Sequence, residues 1–255
     1  MNTDNMAISG ETIDYGPCAF MDTYHPNTVF SSIDTGGRYA YDNQPKMAGW
    51  DLTRFAEALL PLLHEDQEQA IQHAEDALSS FTKIFHTEWV SGMCSKLGLA
   101  PSKNEERSNE DLISQLLNLT QKYKADYTLT YRYLTSLLAV NSIHEIENQE
   151  QFAVSSLMGS VEFARWKEKW EERLTKQEIS KKVSLQMMRE HNPVIIPRNH
   201  LVEEALSDVV HQGDYGKFDR LLQALNNPFD DKSELPLDYT QTTLMNSNYR
   251  TFCGT

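Results

Sequence analysis

From Trp50 onward, apolar residues return at every third or fourth position, and that period dictates helices rather than strands. Leu52, Phe55, Leu59, Leu60 and Leu63 form one stripe. Pro61 is expected to end or kink this helix within a turn, because its ring clashes with the preceding turn and removes a donor. Ile71, Ala74, Leu78, Phe81 and Phe85 form a second stripe, running to about Lys96 and stopped by Gly98 and Pro101. The polar run SKNEERSNED reads as a linker. Its Ser108 and Asp111 stand at capping-box spacing ahead of a helix carrying Leu112, Ile113, Leu116, Leu117 and Tyr123. YTLTYRYLTSLLAV (127–140) holds strand-favouring Thr and Tyr, but its length and its helical neighbours place it with the helices. VEFARWKEKWEERLTKQ sets Trp166, Trp170 and Leu174 on one face and turns Lys167 and Glu171 outward as a pair. After a break at HNPVIIP come two short helices, 199–211 and 214–226, divided by Gly213, and then a polar, loop-like tail past Pro228. No strand pattern and no internal repeat appears, so the expected fold is mainly α.

Residues 1–45 obey no such period. Gly10, Gly16, Pro17, Pro26, Gly36, Gly37 and Pro45 interrupt every run, and Asp, Asn, Ser and Thr fill the intervals. Tyr15, Phe20, Tyr24, Phe30, Tyr39 and Tyr41 argue for an ordered loop, since disordered tracts are poor in aromatics. An acid and an amide stand side by side at its start, Asp4 and Asn5, and a second acid, Asp14, opens an Asp-Tyr-Gly turn. Phosphoryl chemistry needs such a set: one carboxylate to receive a hydroxyl proton, and an amide oxygen with a second carboxylate to hold Mg2+ against nucleotide phosphates. Asp and Asn beside Thr also form ordinary turns. On these residues alone both readings stand.

Composition narrows the classes. With 23 basic against 37 acidic residues the net charge is −14, which opposes a nucleic-acid surface or an anionic membrane as partner. The 40% apolar and 24% charged content is that of a soluble globular protein. The start MNTDNMAISG has neither a basic region nor an apolar one, so it reads as no signal peptide, and no apolar run has the length of a membrane span. A cytoplasmic location is expected. Cys18, Cys94 and Cys253 are far apart and make no zinc-ligand spacing.

The remaining chemistry-bearing residues carry weaker signals. His64 and His73 share no helix face and read as surface residues, His144 lacks a second metal-ligand histidine, and His86 and Trp89 read as packing. Met187 and Met188 read as core filler. Arg38 either reaches an anion or substrate peptide or braces its loop through an ion pair. Arg198 reads as a structural cap or ion pair beside Asn199 and His200.

The run MNTDNMAISGETIDYGPCAFMDTYHPNTVFSSIDTGGRYAYDNQP resembles the signature region of the selenoprotein O family. WDLTRFAEALLPLL, NPVIIPRNHLVEEAL and the terminal TFCGT extend the likeness. Members are kinase-like proteins that transfer AMP from ATP to hydroxyl side chains of other proteins. The resemblance implies a protein-kinase-like C-terminal lobe with a helical C-terminal extension. Residues 1–45 would form a catalytic, metal-binding and activation-segment-like region, and 46–255 the helical lobe and tail. It implies Asp4 as proton acceptor, Asn5 and Asp14 as ligands of Mg2+ or Mn2+, and Asp14 as the contact to ATP through that metal. In the family the MNTDN run lies mid-chain behind a nucleotide-binding lobe. The chain is therefore expected to be the C-terminal half of such an enzyme, inactive without a separate N-terminal half. Its partners would be ATP and proteins offering Ser, Thr or Tyr hydroxyls. Transfer of UMP from UTP, or a non-catalytic helical binding module, are the alternatives. Cys253 stands where the family carries a thiol or selenol, so a redox role competes there with an inert thiol, and Cys18 is a candidate partner.

Overall fold

The computed structural model describes residues 2–4, 6–10, 18–101, 105–139 and 154–230. Among these the fold is mainly α, as the periodicity requires, with no named strand and one isolated antiparallel bridge between Thr23 and Asp126. The chain divides into two compact units. The first holds the described residues of Met1–Ala19 and His25–Trp89, the second those of Phe20–Tyr24 and Val90–Tyr249.

In the first unit a loop leads through a single 3-10 turn (Tyr41–Asn43) into α1 (Gln44–Leu63), followed by most of α2 (Gln67–Lys96). Helix α1 starts at Gln44, well before the apolar stripe opens at Leu52, because Pro45 falls in its first turn, where no backbone donor is needed. Pro61 lies in the last turn and the helix ends two residues later at Leu63, within a turn of the proline as expected from its missing donor and ring clash. In the part of α2 that belongs to this unit the buried residues are Ala70 and Ala74, whereas Ile71, Ile84 and Phe85 stay exposed. The stripe is thus shifted toward its small residues. His64 and His73 are exposed as expected, yet their rings approach to 6.1 Å across the α1–α2 turn. His86 is exposed rather than packed.

The second unit contains the end of α2, then α3 (Glu106–Lys122), α4 (Tyr127–Ala139), α5 (Ser155–Met158), α6 (Val161–Lys176), α7 (Lys181–His191), α8 (Asn199–Gln212) and α9 (Gly216–Leu225). Helix α3 packs on α6, α4 on α7, and α8 on α9. Trp166 and Trp170 sit one turn apart on α6, stacked at 5.9 Å and almost fully buried. Burial of an indole requires a partner for its N–H. Trp166 donates to the Leu112 carbonyl and Trp170 to the Leu97 carbonyl, each at 2.9 Å.

One expectation fails here. Helix α3 begins at Glu106, so Ser108 and Asp111 lie inside it and cap nothing, whereas Ser160 and Ser180 do cap α6 and α7. The buried neighbour of the tryptophans is Arg173, whose Nε donates to Asn109 Oδ1 at 3.0 Å, while Leu174 is half-buried. Helix α7 had no assignment from the sequence; it buries Met188 completely and leaves Met187 half-exposed. Gly213 adopts φ +67 after α8, the left-handed cap that its place between two helices requires. Among the described residues, no helix is long and apolar enough to cross a membrane.

Candidate functional site

Within the first unit, Asp34 organises the loop that precedes α1. Its two carboxylate oxygens accept from the Arg38 and Tyr39 backbone N–H groups, at 3.0 and 2.8 Å. Asn43 ties the same loop from the other side, donating to the Gly37 and Arg38 carbonyls. Gly37 is at φ +71, where a side chain would be strained. So braced, the loop presents the Arg38 guanidinium to three neighbours. Nη2 donates to Asn2 Oδ1 at 3.2 Å, the group lies 4.5 Å from the Trp50 ring centre, and it stands 4.0 Å from Asp51 Oδ1. Arg54 approaches the same indole at 5.4 Å. Of the two readings of Arg38, the structure contains the bracing one.

Asp4 is exposed in a turn. It stands in sequence between Thr3 and Met6, both of which line a cleft of about 540 Å3 against the N-terminal half of α1. Trp50, Asp51, Arg54 and Phe55 line its other wall. Asp51 is 4% exposed, and neither carboxylate oxygen has a hydrogen-bond donor. The sequence reading passed over it. The available signal was position: Met47, Ala48 and Asp51 share one buried helix face, so an acid falls on an otherwise apolar stripe.

Asn5, Asp14, Cys253 and His144 lie outside the described residues. Cys18 is exposed and Cys94 buried; burial raises the Cys94 thiol above its ordinary range. Among the described residues no group of three or more His, Cys, Asp or Glu is placed to hold a metal ion.

The second unit holds a buried ionic network of its own. Arg198 Nη1 donates to Asp22 Oδ1 and to Asp126 Oδ2, both at 2.6 Å. Asp126 Oδ1 accepts from Leu129 N–H at 2.7 Å and so caps α4. Asn199 holds Phe20 from both sides, accepting from its N–H and donating to its carbonyl at 2.8 Å each. Burial raises the Asp22 carboxyl above the usual carboxylate range, with Arg198 opposing it. This is the ion pair expected of Arg198, and its partners were not legible in the sequence.

The amino-acid sequence has counterparts among known proteins. The profile of the family described as protein adenylyltransferase SelO matches residues 1–226. The chain belongs to the SelO family. Relatives include the protein nucleotidyltransferase YdiU of Alkaliphilus metalliredigens, 51% identical over the whole chain, and that of Geobacillus kaustophilus, 49% identical. A third, from Clostridium botulinum, is 52% identical. The chain spans about half the length of these relatives, 49% in each case.

Proposed function

We propose that the chain is the part of a protein nucleotidyltransferase that carries the proton acceptor and the metal ligands, within a protein-kinase-like C-terminal lobe. Residues 1–45 form its catalytic and activation-segment-like region, and 46–255 its helical lobe. The reaction is transfer of AMP from ATP to Ser, Thr or Tyr hydroxyls of other proteins. Asp4 accepts the hydroxyl proton as the oxygen attacks the α-phosphorus; the bond to the bridging oxygen breaks and pyrophosphate leaves. Exposure of Asp4 in a turn leaves its carboxylate accessible to such a hydroxyl.

Asn5 and Asp14 offer one amide and one carboxylate oxygen, the hard donors that Mg2+ takes alongside waters and phosphates. Held there, Mg2+ (or Mn2+) supplies the positive charge that the phosphates need. Clamping of ATP is left to a separate nucleotide-binding half, without which positioning and electrostatic stabilisation are largely lost. The reading places the protein in the cytoplasm, with no membrane or nucleic-acid partner.

The observation that carries this reading is the family match, which begins at residue 1 and so includes Asp4, Asn5 and Asp14. The family's description specifies adenylyl transfer, whereas the relatives' names specify only nucleotidyl transfer. AMP is therefore preferred here over UMP. The test mixes the chain with an upstream half from a longer relative and follows labelled AMP and UMP on a protein acceptor. Transfer that requires both parts and is lost in Asp4→Asn and Asp14→Ala supports the reading. Tight Mg2+-dependent ATP binding by the chain alone in calorimetry refutes the division of labour, and transfer unaffected by Asp4→Asn refutes the assigned base.

A further inference from the structure

We propose that the apolar stripes of α1 and α2 are the docking surface for the half of the enzyme that this chain does not span. The inference deepens the proposed function and rests on its division of the enzyme into two parts. It gives the separate half a place to bind.

Pattern and burial disagree in the first unit. The 3.6-residue period sets Leu52, Phe55, Leu59, Leu60 and Leu63 on one stripe of α1, and five further residues, from Ile71 to Phe85, on one stripe of α2. Of these ten only Ala74 is buried; the rest are half-buried or exposed. Leu62, beside the α1 stripe, is 81% exposed. The buried apolar side chains among the described residues of this unit are Ala40, Met47, Ala48, Ala70 and Ala74. Four alanines and one methionine make no core for two long helices. In the second unit the same periodicity is satisfied: Leu112, Ile113 and Leu116 on α3 are buried, as are Trp166 and Trp170 on α6. Exposure of the stripes is therefore particular to the first unit.

The lengths and charges single out the occupant. An apolar stripe on an amphipathic helix is made to face another element, and large uncovered apolar surface marks an interaction site. The relatives are about twice as long as this chain, which spans 49% of each. In them the remaining polypeptide is tethered to these helices and meets them at high effective concentration. A second copy of this chain would instead bring a net charge of −14 against −14, and like charge opposes association. Interfaces between parts that function only together resemble a core cut in two, and the first unit presents one side of such a core. The position agrees with the chemistry. Asp4 belongs to the same unit as the stripes, so docking there brings the proposed nucleotide clamp to the unit that carries the proposed base.

The test compares this chain with the whole Alkaliphilus metalliredigens relative, 51% identical to it. Each receives one added cysteine, whose maleimide labelling is located by peptide mass spectrometry. In this chain Leu62→Cys, Ile71→Cys and, on α8, Val210→Cys are all expected to label readily, since all three residues are exposed. In the whole relative the cysteines aligned with Leu62 and Ile71 are expected to label at least about tenfold more slowly, because a site under an interface reacts only when the interface opens. The one aligned with Val210 is expected to label as fast as in this chain. A cysteine at the Leu62 or Ile71 position that labels equally fast in both proteins overturns the proposal, as does equal protection at the Val210 position. Sedimentation of this chain alone is expected to give a monomer. A dimer in which Leu62→Cys is protected assigns the surface to a second copy and overturns the proposal too. Protection without transfer of labelled AMP supports the docking surface and refutes the reaction; transfer without protection refutes the docking surface alone.

Discussion

Arg198, at the start of α8, meets Asp126, just ahead of α4, with Nη1 2.6 Å from Oδ2 and both side chains 1% exposed. Asp22 closes the other side at the same distance. One cation thus holds the loop at 20–24 and the starts of two helices. Removing it strands two carboxylates in the interior. Arg198→Met is therefore expected to destabilise the protein by about 3–5 kcal/mol in urea unfolding. A loss within about 1 kcal/mol would mean that the network is dispensable.

Asp22 adds a pH signature. Its carboxyl is raised by burial above its ordinary 3.8, so the folded state holds a proton that the unfolded chain has released. The associated stability is complete below 3.8 and is lost as pH rises through the folded value. Wild type is therefore expected to gain stability relative to Asp22→Asn on acidification toward 3.8. A difference that is flat with pH over that window would contradict the assignment.

Lys96 carries the opposite sign. Burial lowers its ammonium from 10.5 to about 8, although it donates to the His191 carbonyl at 3.0 Å and lies 4.9 Å from the Tyr131 ring centre. Between pH 8 and 10.5 the unfolded chain holds the proton and the folded one does not, so stability rises with pH across that window. Compared with Lys96→Met, wild type is expected to gain on the order of 3 kcal/mol over it. Parallel pH profiles for the two proteins would count against this.

Gly98 is at φ +69, and a Cβ built there meets Met188 Sδ at 3.0 Å and the Ser184 carbonyl at 3.2 Å. Strain and a backbone contact act together, so Gly98→Ala is expected to destabilise by about 1–3 kcal/mol. Chemical denaturation of the variant decides it.

Asp4 is exposed, so its replacement has little folding consequence. In the reconstituted transfer assay Asp4→Asn is expected to lower the rate about 10²- to 10⁴-fold with the melting temperature unchanged. A parallel loss of both would make Asp4 a structural residue.

Most of the helices, α5 and α7 apart, were legible because the 3.6-residue period is a local property: each such segment carries its own apolar face, and Gly98 and Gly213 carry their own stops. The Asp4–Asn5 pair and the Asp-Tyr-Gly run are likewise local patterns, visible within a few residues of sequence. Partners were not. Arg198 finds Asp22 and Asp126 at separations of 176 and 72 residues, and Arg38 finds Asn2 across 36. For Asp51 the local pattern shows only that an acid shares a helix face with Met47 and Ala48; that folding buries it without a hydrogen-bond donor is decided by the assembled chain. Periodicity states which face of a helix turns inward, but pairing and burial depend on which remote segment arrives to cover it, and that is a property of the assembled chain.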